Sequence, residues 1–360
     1  MKAAVLYGKE DVRIEDVPAS ELKEGEVRVA IEAALTCGTD LKVFRRGYHA
    51  RMIVPPATFG HEFAGVIVET SVASHGWHVG DRVVVANSAP CGTCYFCGLG
   101  QENLCNDLLF LNGAYAESIV VPARLVQKNM LHLKPGTSFS DAALVEPLAC
   151  VVQGIQDTNL KPKERVLVLG AGPIGLMFVR LAAAIGCEVW VAGKRQVRLN
   201  AARKLGAHEV VDVSQHENLH THLITERHCC FDAVIEAVGR PEAWEAAIAL
   251  VRKGGRVNLF GGCPAGTSVT LDTTRMHYMN LTLLASFHHT PRTIRKALEH
   301  VENGTVNASD FVTGSHSLEE LPSLLRSMAE GNSFVKTRIV TRKKHEAGTT
   351  HSHTHSHAPS

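Results

Sequence analysis

Four cysteines within fifteen residues, Cys91, Cys94, Cys97 and Cys105, follow the spacing C-x2-C-x2-C-x7-C on a glycine-rich stretch. Zinc takes four ligands in a tetrahedron, about 2.3 Å from each sulfur, and short C-x2-C turns let consecutive thiolates face one centre. An iron–sulfur cluster also uses four thiolates, but the x7 gap and the absence of a Cys-Pro end argue against it. Disulfides or free thiols are the remaining alternative. The chain has ten cysteines and opens MKAAVLYGKEDVRIEDV, without an apolar leader, so thiolate ligands are the better reading. A site with all four positions filled by protein has no room for substrate, and a metal held there is structural.

A second set is dispersed. Cys37 lies in LTCGTD, His61 and Glu62 in FGHEFAG, and Glu146 in LVEPLAC. Taken singly, each has an ordinary explanation as a buried thiol or a satisfied polar group. Together they bring a thiolate, an imidazole and carboxylates from three expected loops of one domain. A catalytic zinc uses such a set and keeps one position open for water or substrate.

A third feature is GAGPIG, which places Gly170, Gly172 and Gly175 after the apolar run RVLVLG and before a helical pattern that begins Pro173-Ile174. On that strand–turn–helix context the glycines fit a dinucleotide: a tight turn, close approach of pyrophosphate, and close helix–strand packing, with the phosphates on the helix N-terminus. An NAD-type site wants an acidic residue about twenty residues on, for the ribose hydroxyls. Gly193 stands there, followed by Lys194 and Arg195, with Arg198 on the same helix. Cations without a carboxylate favour a 2′-phosphate, so NADP is expected over NAD. The alternative is a solvated helix start, with NAD bound through other contacts.

These residues need two kinds of scaffold. Up to about residue 150 the chain is β-rich, with VRVAIEAAL, FAGVIVET, DRVVVAN and AESIVVPA as short strands in a barrel-like domain. From Arg165 strands and helices alternate as RVLVLG, PIGLMFVRLAAAIG, EVWVAG, RLNAARKLGA, EVVDV, a helical stretch around 219–227, FDAVIEAVG, EAWEAAIALVRKG and RVNLFGG. That alternation means a doubly wound parallel α/β sheet, with LTLLASF as its last strand. Two amphipathic helices, TIRKALEHVENG and LEELPSLLRSMAEG, and the strand FVKTRIV then return to the first domain. The expected domains are 1–150, 151–290 and a returning 291–344, followed by a disordered histidine-rich tail, 345–360.

In order along the chain, CGTD, GHEFAG, the four-cysteine loop, VEPLA and GAGPIG resemble the zinc-containing medium-chain dehydrogenases, nearest the sorbitol or iditol and threonine dehydrogenase branch. The resemblance runs from Met1 to about Val340. It implies a GroES-like β-barrel catalytic domain joined to a Rossmann domain, two zincs per chain, and hydride transfer between a secondary alcohol or polyol and NAD(P). Carried over by position, Cys37 and His61 become catalytic zinc ligands, and Glu62 a ligand or a close supporting partner. Glu146 stands where the polyol branch has glutamate and the ethanol-oxidising branch cysteine. Whether it binds directly or through water is left open. Thr39 resembles the hydroxyl that starts the proton relay. Lys42 departs from the histidine that many relatives use to finish it, so the end of the relay is open. The branch also implies a homo-oligomer, tetramer or dimer, for which LTLLASF is the one candidate contact that the sequence offers.

Composition limits the alternatives. Net charge is +1 with no basic block in the body, which excludes an electrostatic footprint for nucleic acid and with it a zinc-finger reading. No run of eighteen apolar residues suggests a membrane span, and the default address is cytoplasmic. A catalytically silent zinc and nucleotide sensor, an L-threonine dehydrogenase and a simple secondary-alcohol dehydrogenase remain the competing functions. His351, His353, His355 and His357 alternate with Ser and Thr. They are read as an inert tail with incidental metal affinity, with metal scavenging as the alternative. His288 and His289 follow the last expected strand, where the chain turns back toward the cleft. They either approach the substrate or cofactor, or serve an interface or surface.

Overall fold

The strand Val27–Leu35 is the spine of the first half, and it is buried on both faces because a sheet closes around it. It pairs antiparallel with Glu62–Thr70, Lys336–Val340 and Ser118–Val121. Register shifts between Arg28 and Val29 and between Ile31 and Ala33 add the local twist that curls the sheet. In the computed structural model, which describes residues 1–49, 52–71, 76–332 and 334–342, seven strands form this sheet. A smaller three-stranded sheet built on Lys2–Gly8 packs beside it. Leu6, Ile31, Phe44, Phe59, Phe63, Tyr115 and Ile339 share the enclosed core. Each large apolar side chain there contributes about 1.5–3 kcal/mol.

The second half is a six-stranded parallel sheet ordered Glu209–Asp212, Glu188–Gly193, Arg165–Leu169, Phe231–Glu236, Val251–Leu259 and Thr282–Leu284. Order reverses on either side of Arg165–Leu169, and such a switch point opens a ligand crevice at the strands' C-terminal ends. The helix Val145–Thr158 joins the halves: Val145, Leu148, Val151 and Val152 lie in one buried cluster with Leu35 and Val84 of the first sheet, Val166 of the second and Phe178 of the helix Pro173–Ile185. The strands Val312–Ser317 and Lys336–Val340 return to the first sheet, the latter against Val27–Leu35.

One element differs from the sequence reading. The expected helix EAWEAAIALVRKG ends at Leu250, and Val251–Leu259 is one strand. Val251 pairs with Phe231 and is buried, and Gly254 takes φ +70, outside the helical region. A register shift then brings Arg256 opposite Ala233. Among the described residues no helix is long and apolar enough to cross a membrane. The expected tail, 345–360, lies outside the described residues.

Candidate active site and metal centres

Cys37 is the N-cap of the helix Gly38–Arg46 rather than part of a free loop. Its Sγ accepts from Thr39 N–H at 3.4 Å, and its own N–H donates to Asp40 Oδ2 at 2.8 Å, closing a capping box. Asp40 is 1% exposed and stands 3.1 Å, Oδ1 to Nδ1, from His61. Tyr115 supports it, donating its hydroxyl to Asp40 Oδ2. A carboxylate on Nδ1 fixes the ring and its tautomer and leaves Nε2 free for a metal. Asp40 and the Cys37 thiolate form raise the His61 pKa against the burial that lowers it.

His61 ends at the start of the strand Glu62–Thr70, so strand pairing with Leu35 sets both His61 and Glu62 beside Cys37. One donor atom from each of Cys37, His61 and Glu62 lies within 4.8 Å of the others. Glu62 is also in contact with Lys336, whose Nζ is 2.9 Å from Oε1 and 2.6 Å from Oε2, and both side chains are enclosed. Burial raises the Glu62 carboxyl pKa, and the Lys336 ammonium opposes that rise. Thr39 is half-buried on the same helix start, and Lys42, one turn on, is exposed.

Glu146 is not on a loop: it occupies the first turn of the helix Val145–Thr158. It gathers with His288 and His289, all donor atoms within 4.8 Å. Burial pushes its pKa up to about 7. That value is above the ordinary 4.5, so the metal-free native state prefers the protonated form. The resulting stability is present below about pH 4.5 and is lost as pH rises through about 7. In chelated protein, the melting temperature of the wild type should fall more across that window than that of Glu146→Gln. Equal slopes would mean that the carboxylate carries no such penalty.

The four cysteines converge as their spacing predicts. Sulfur separations of 3.9 Å for Cys91–Cys97, 3.6 Å for Cys94–Cys97 and 3.9 Å for Cys94–Cys105 bracket the ~3.8 Å edge of a Zn–S4 tetrahedron. All four are free thiols. Backbone N–H groups of Thr93 and Cys94 point at Cys91 Sγ at 3.4 and 3.3 Å. These donors, Thr93 first, lower the Cys91 pKa to about 5, toward the thiolate that a metal needs.

In the nucleotide half, Gly170 adopts φ +110, and a Cβ on Gly175 would sit 1.8 Å from Gly170 O. Gly172 caps the helix Pro173–Ile185 and faces open space. Gly193 has a steric reason: a Cβ there would meet Ala171 Cβ at 2.6 Å, so an acidic side chain does not fit the strand end. Lys194 is exposed, and its charge reaches Asp212. Arg195 and Arg198 donate to the carbonyls of Asn332 at 2.7 Å and Phe334 at 3.1 Å.

Two family models match the chain: the alcohol dehydrogenase GroES-like domain over residues 23–131 and the zinc-binding dehydrogenase over 173–303. An L-threonine 3-dehydrogenase of Pyrococcus furiosus is 32% identical, over 92% of this chain and 96% of its own. The chain belongs to the zinc-containing medium-chain dehydrogenases. A sorbitol dehydrogenase of Bacillus subtilis is 29% identical, covering 95% and 98% of the two chains. A structure from Sinorhizobium meliloti 1021, described as a zinc-binding dehydrogenase bound to NADP, superposes with a TM-score of 0.87 at 28% identity, covering 94% and 98%. As a member of this family, the chain is a GroES-like barrel joined to a Rossmann sheet.

In this dehydrogenase Cys37, His61 and Glu62 come together, as do the four cysteines, while Glu146 gathers with His288 and His289 and stays near enough to His61 and Glu62 to feel their charges. Three contributors had no assigned role in the sequence reading. Asp40 carried a signal, its place three residues after a cap. Tyr115 and Lys336 carried none, since their partners lie 75 and 274 residues away.

Proposed function

We propose that this protein is a zinc-dependent dehydrogenase that moves a hydride between a secondary alcohol carbon of a polyol, or the matching ketone, and a nicotinamide cofactor, preferring NADP. The observation that carries it is the Cys37–His61–Glu62 donor set with Asp40 orienting His61, beside a dinucleotide cleft. Zinc, when bound, polarises a hydroxyl and lowers its pKa, and the nicotinamide accepts the hydride.

The chain's own residues do the rest. Cys37 and His61 hold the catalytic metal, Asp40 fixes the imidazole, and Glu62 and Glu146 supply carboxylates at its edge. Thr39 takes the substrate proton, and Lys42, ribose hydroxyls or water pass it on. Cys91, Cys94, Cys97 and Cys105 hold the structural zinc, which makes two resident zincs per chain. Gly170, Gly172, Pro173, Ile174 and Gly175 cradle the pyrophosphate on the helix N-terminus. Lys194, Arg195 and Arg198 meet the adenosine end. The working domains are 1–150, 151–290 and 291–344, in a cytoplasmic homo-oligomer.

A panel of sorbitol-like polyols, sugar phosphates, simple secondary alcohols and L-threonine, each with NADP and NAD, tests the substrate class. The L-threonine relative, at 32% identity, favours an amino-acid substrate as the second reading. Turnover of polyols, lost on chelation, is the expected result. No oxidoreduction on any member by a fully zinc-loaded protein would instead favour a silent sensor. For the cofactor, Arg195→Asp should lower kcat/KM for NADP by about tenfold or more and leave NAD nearly unchanged. A wild type that prefers NAD overturns the NADP assignment.

A further inference from the structure

Glu236 is a carboxylate that the proposed chemistry does not use, and it is 0% exposed. It closes the strand Phe231–Glu236, in register with Leu169 on one side and Leu259 on the other. It therefore stands at the C-terminal edge of the sheet, beside the strand where the order reverses and the crevice opens. An acid at a strand end is ordinarily solvated, but this one is enclosed. Enclosure costs free energy unless hydrogen bonds offset the lost water, and an apolar side chain would avoid that cost.

Its hydrogen bonds show what the acid holds. Oε1 accepts from Val238 N–H at 2.7 Å and from Gly239 N–H at 2.8 Å. The backbone carbonyl of Glu236 accepts from Phe260 N–H at 3.1 Å and Gly261 N–H at 2.9 Å. Ala237 N–H donates to Leu169 O at 2.8 Å, and the Trp244 indole N–H donates to Gly261 O at 2.9 Å. One residue and the turn after it thus tie the ends of three neighbouring strands. Burial raises the Glu236 carboxyl pKa, and the N–H groups of Gly239, Val238 and Gly261 oppose that rise. Bonds from a backbone N–H to a carboxylate are about twice as strong as neutral ones, which is what an acid offers here and an apolar residue does not.

The segment so fixed lies along the dinucleotide turn. A Cβ on Gly170 would meet Val238 Cγ2 at 3.0 Å and Ala237 O at 3.2 Å, so Ala237 and Val238 sit against GAGPIG. The other side is equally close: a Cβ on Gly239 would meet Gly262 O at 2.6 Å. Val238 is nevertheless 46% exposed, an apolar side chain left open where the strands end. A cofactor laid across the switch point would cover it.

We propose that Glu236 is a positioning residue for the nicotinamide cofactor: by accepting the Val238 and Gly239 N–H groups, it holds the Val238 side chain as an apolar wall against which the cofactor packs. The inference rests on the reading of this crevice as the NAD(P) site. The carboxylate bonds to backbone and not to the Cys37–His61–Glu62 set, so its effect falls on cofactor binding rather than on the step at the metal.

Fluorescence titration of the intact, zinc-loaded protein with NADPH and NADH reads binding without turnover. Glu236→Met keeps the volume and removes the acceptor, leaving both N–H groups unpaired, and its Kd for the preferred cofactor should rise about tenfold or more. Glu236→Gln keeps an acceptor oxygen and should recover most of that loss. Val238→Ala trims the wall with Glu236 intact and should raise Kd by about threefold to tenfold. In steady state the KM for cofactor should follow Kd in the Met and Ala variants, while kcat does not fall and the KM for alcohol at saturating cofactor keeps its wild-type value. A merely structural role would lower kcat, raise both KM values together and leave Val238→Ala like wild type, and that pattern overturns the proposal. So does an unchanged Kd in folded Glu236→Met or, where that variant fails to fold, in Val238→Ala. If wild type binds neither cofactor, the crevice reading itself fails and the proposal falls with it.

Discussion

Cys37→Ser should lower kcat/KM by about a thousandfold or more and remove about one zinc per chain, while the protein remains folded. The size follows from what the metal supplies: several kcal/mol of charge stabilisation at the reacting oxygen, of which about 4 kcal/mol is a factor of a thousand. The selectivity follows from position. Cys37 caps a short helix through its sulfur, and serine caps helices at least as well, so the Gly38–Arg46 helix keeps its start. A serine hydroxyl, however, is a poor ligand for a borderline-soft cation next to an imidazole. Metal analysis and steady-state rates on the same preparation check both halves. A variant that loses turnover but keeps its full zinc content would move Cys37 from ligand to some other role.

The contrast with Asp40 separates holding a metal from orienting a ligand. Asp40→Asn preserves the shape and a hydrogen-bond acceptor for the His61 ring but removes the charge. Loss of such an outer partner typically costs about 10–100-fold in metal affinity or activity. Its effect should therefore lie well below that of Cys37→Ser.

What the sequence made legible is whatever the chain encodes at short range. The four cysteines span fifteen positions, and their spacing alone implies the sulfur tetrahedron that the structure forms. GAGPIG works because its context, a strand then a helix, is contiguous. Gly193 was legible as a missing acid, but its cause was not: the reason is contact with Ala171, reached only when two parallel strands bring their ends together. Glu146 was named by type and misplaced by element, because Pro147 reads as a loop edge although it sits in the first turn of the helix Val145–Thr158, where a missing N–H is tolerated. Lys336 was invisible. A lysine in a short strand reads as a solvent-facing residue, and only pairing of Lys336–Val340 with Val27–Leu35 carries it to Glu62.

That lysine gives the largest expected effect on stability. Lys336 is 2% exposed and Glu62 is fully enclosed, with charged atoms 2.6 Å apart. Lys336→Met fills a similar volume but strands a carboxylate away from water, and removing one member of a buried pair costs about 3–5 kcal/mol. Glu62→Gln/Lys336→Met removes both charges, and most of that loss should return, since the pair's mutual attraction largely offsets its own desolvation. Denaturant unfolding of wild type, both single variants and the double variant measures the coupling. Glu62 also follows His61 directly, so its stranded charge has one other cation to turn to, the catalytic metal. Lys336→Met should therefore be more destabilised relative to wild type when both are chelated than when both are zinc-loaded. If metal makes no difference to that penalty, Glu62 serves only Lys336; if metal reduces it, the carboxylate is shared between the lysine and the zinc.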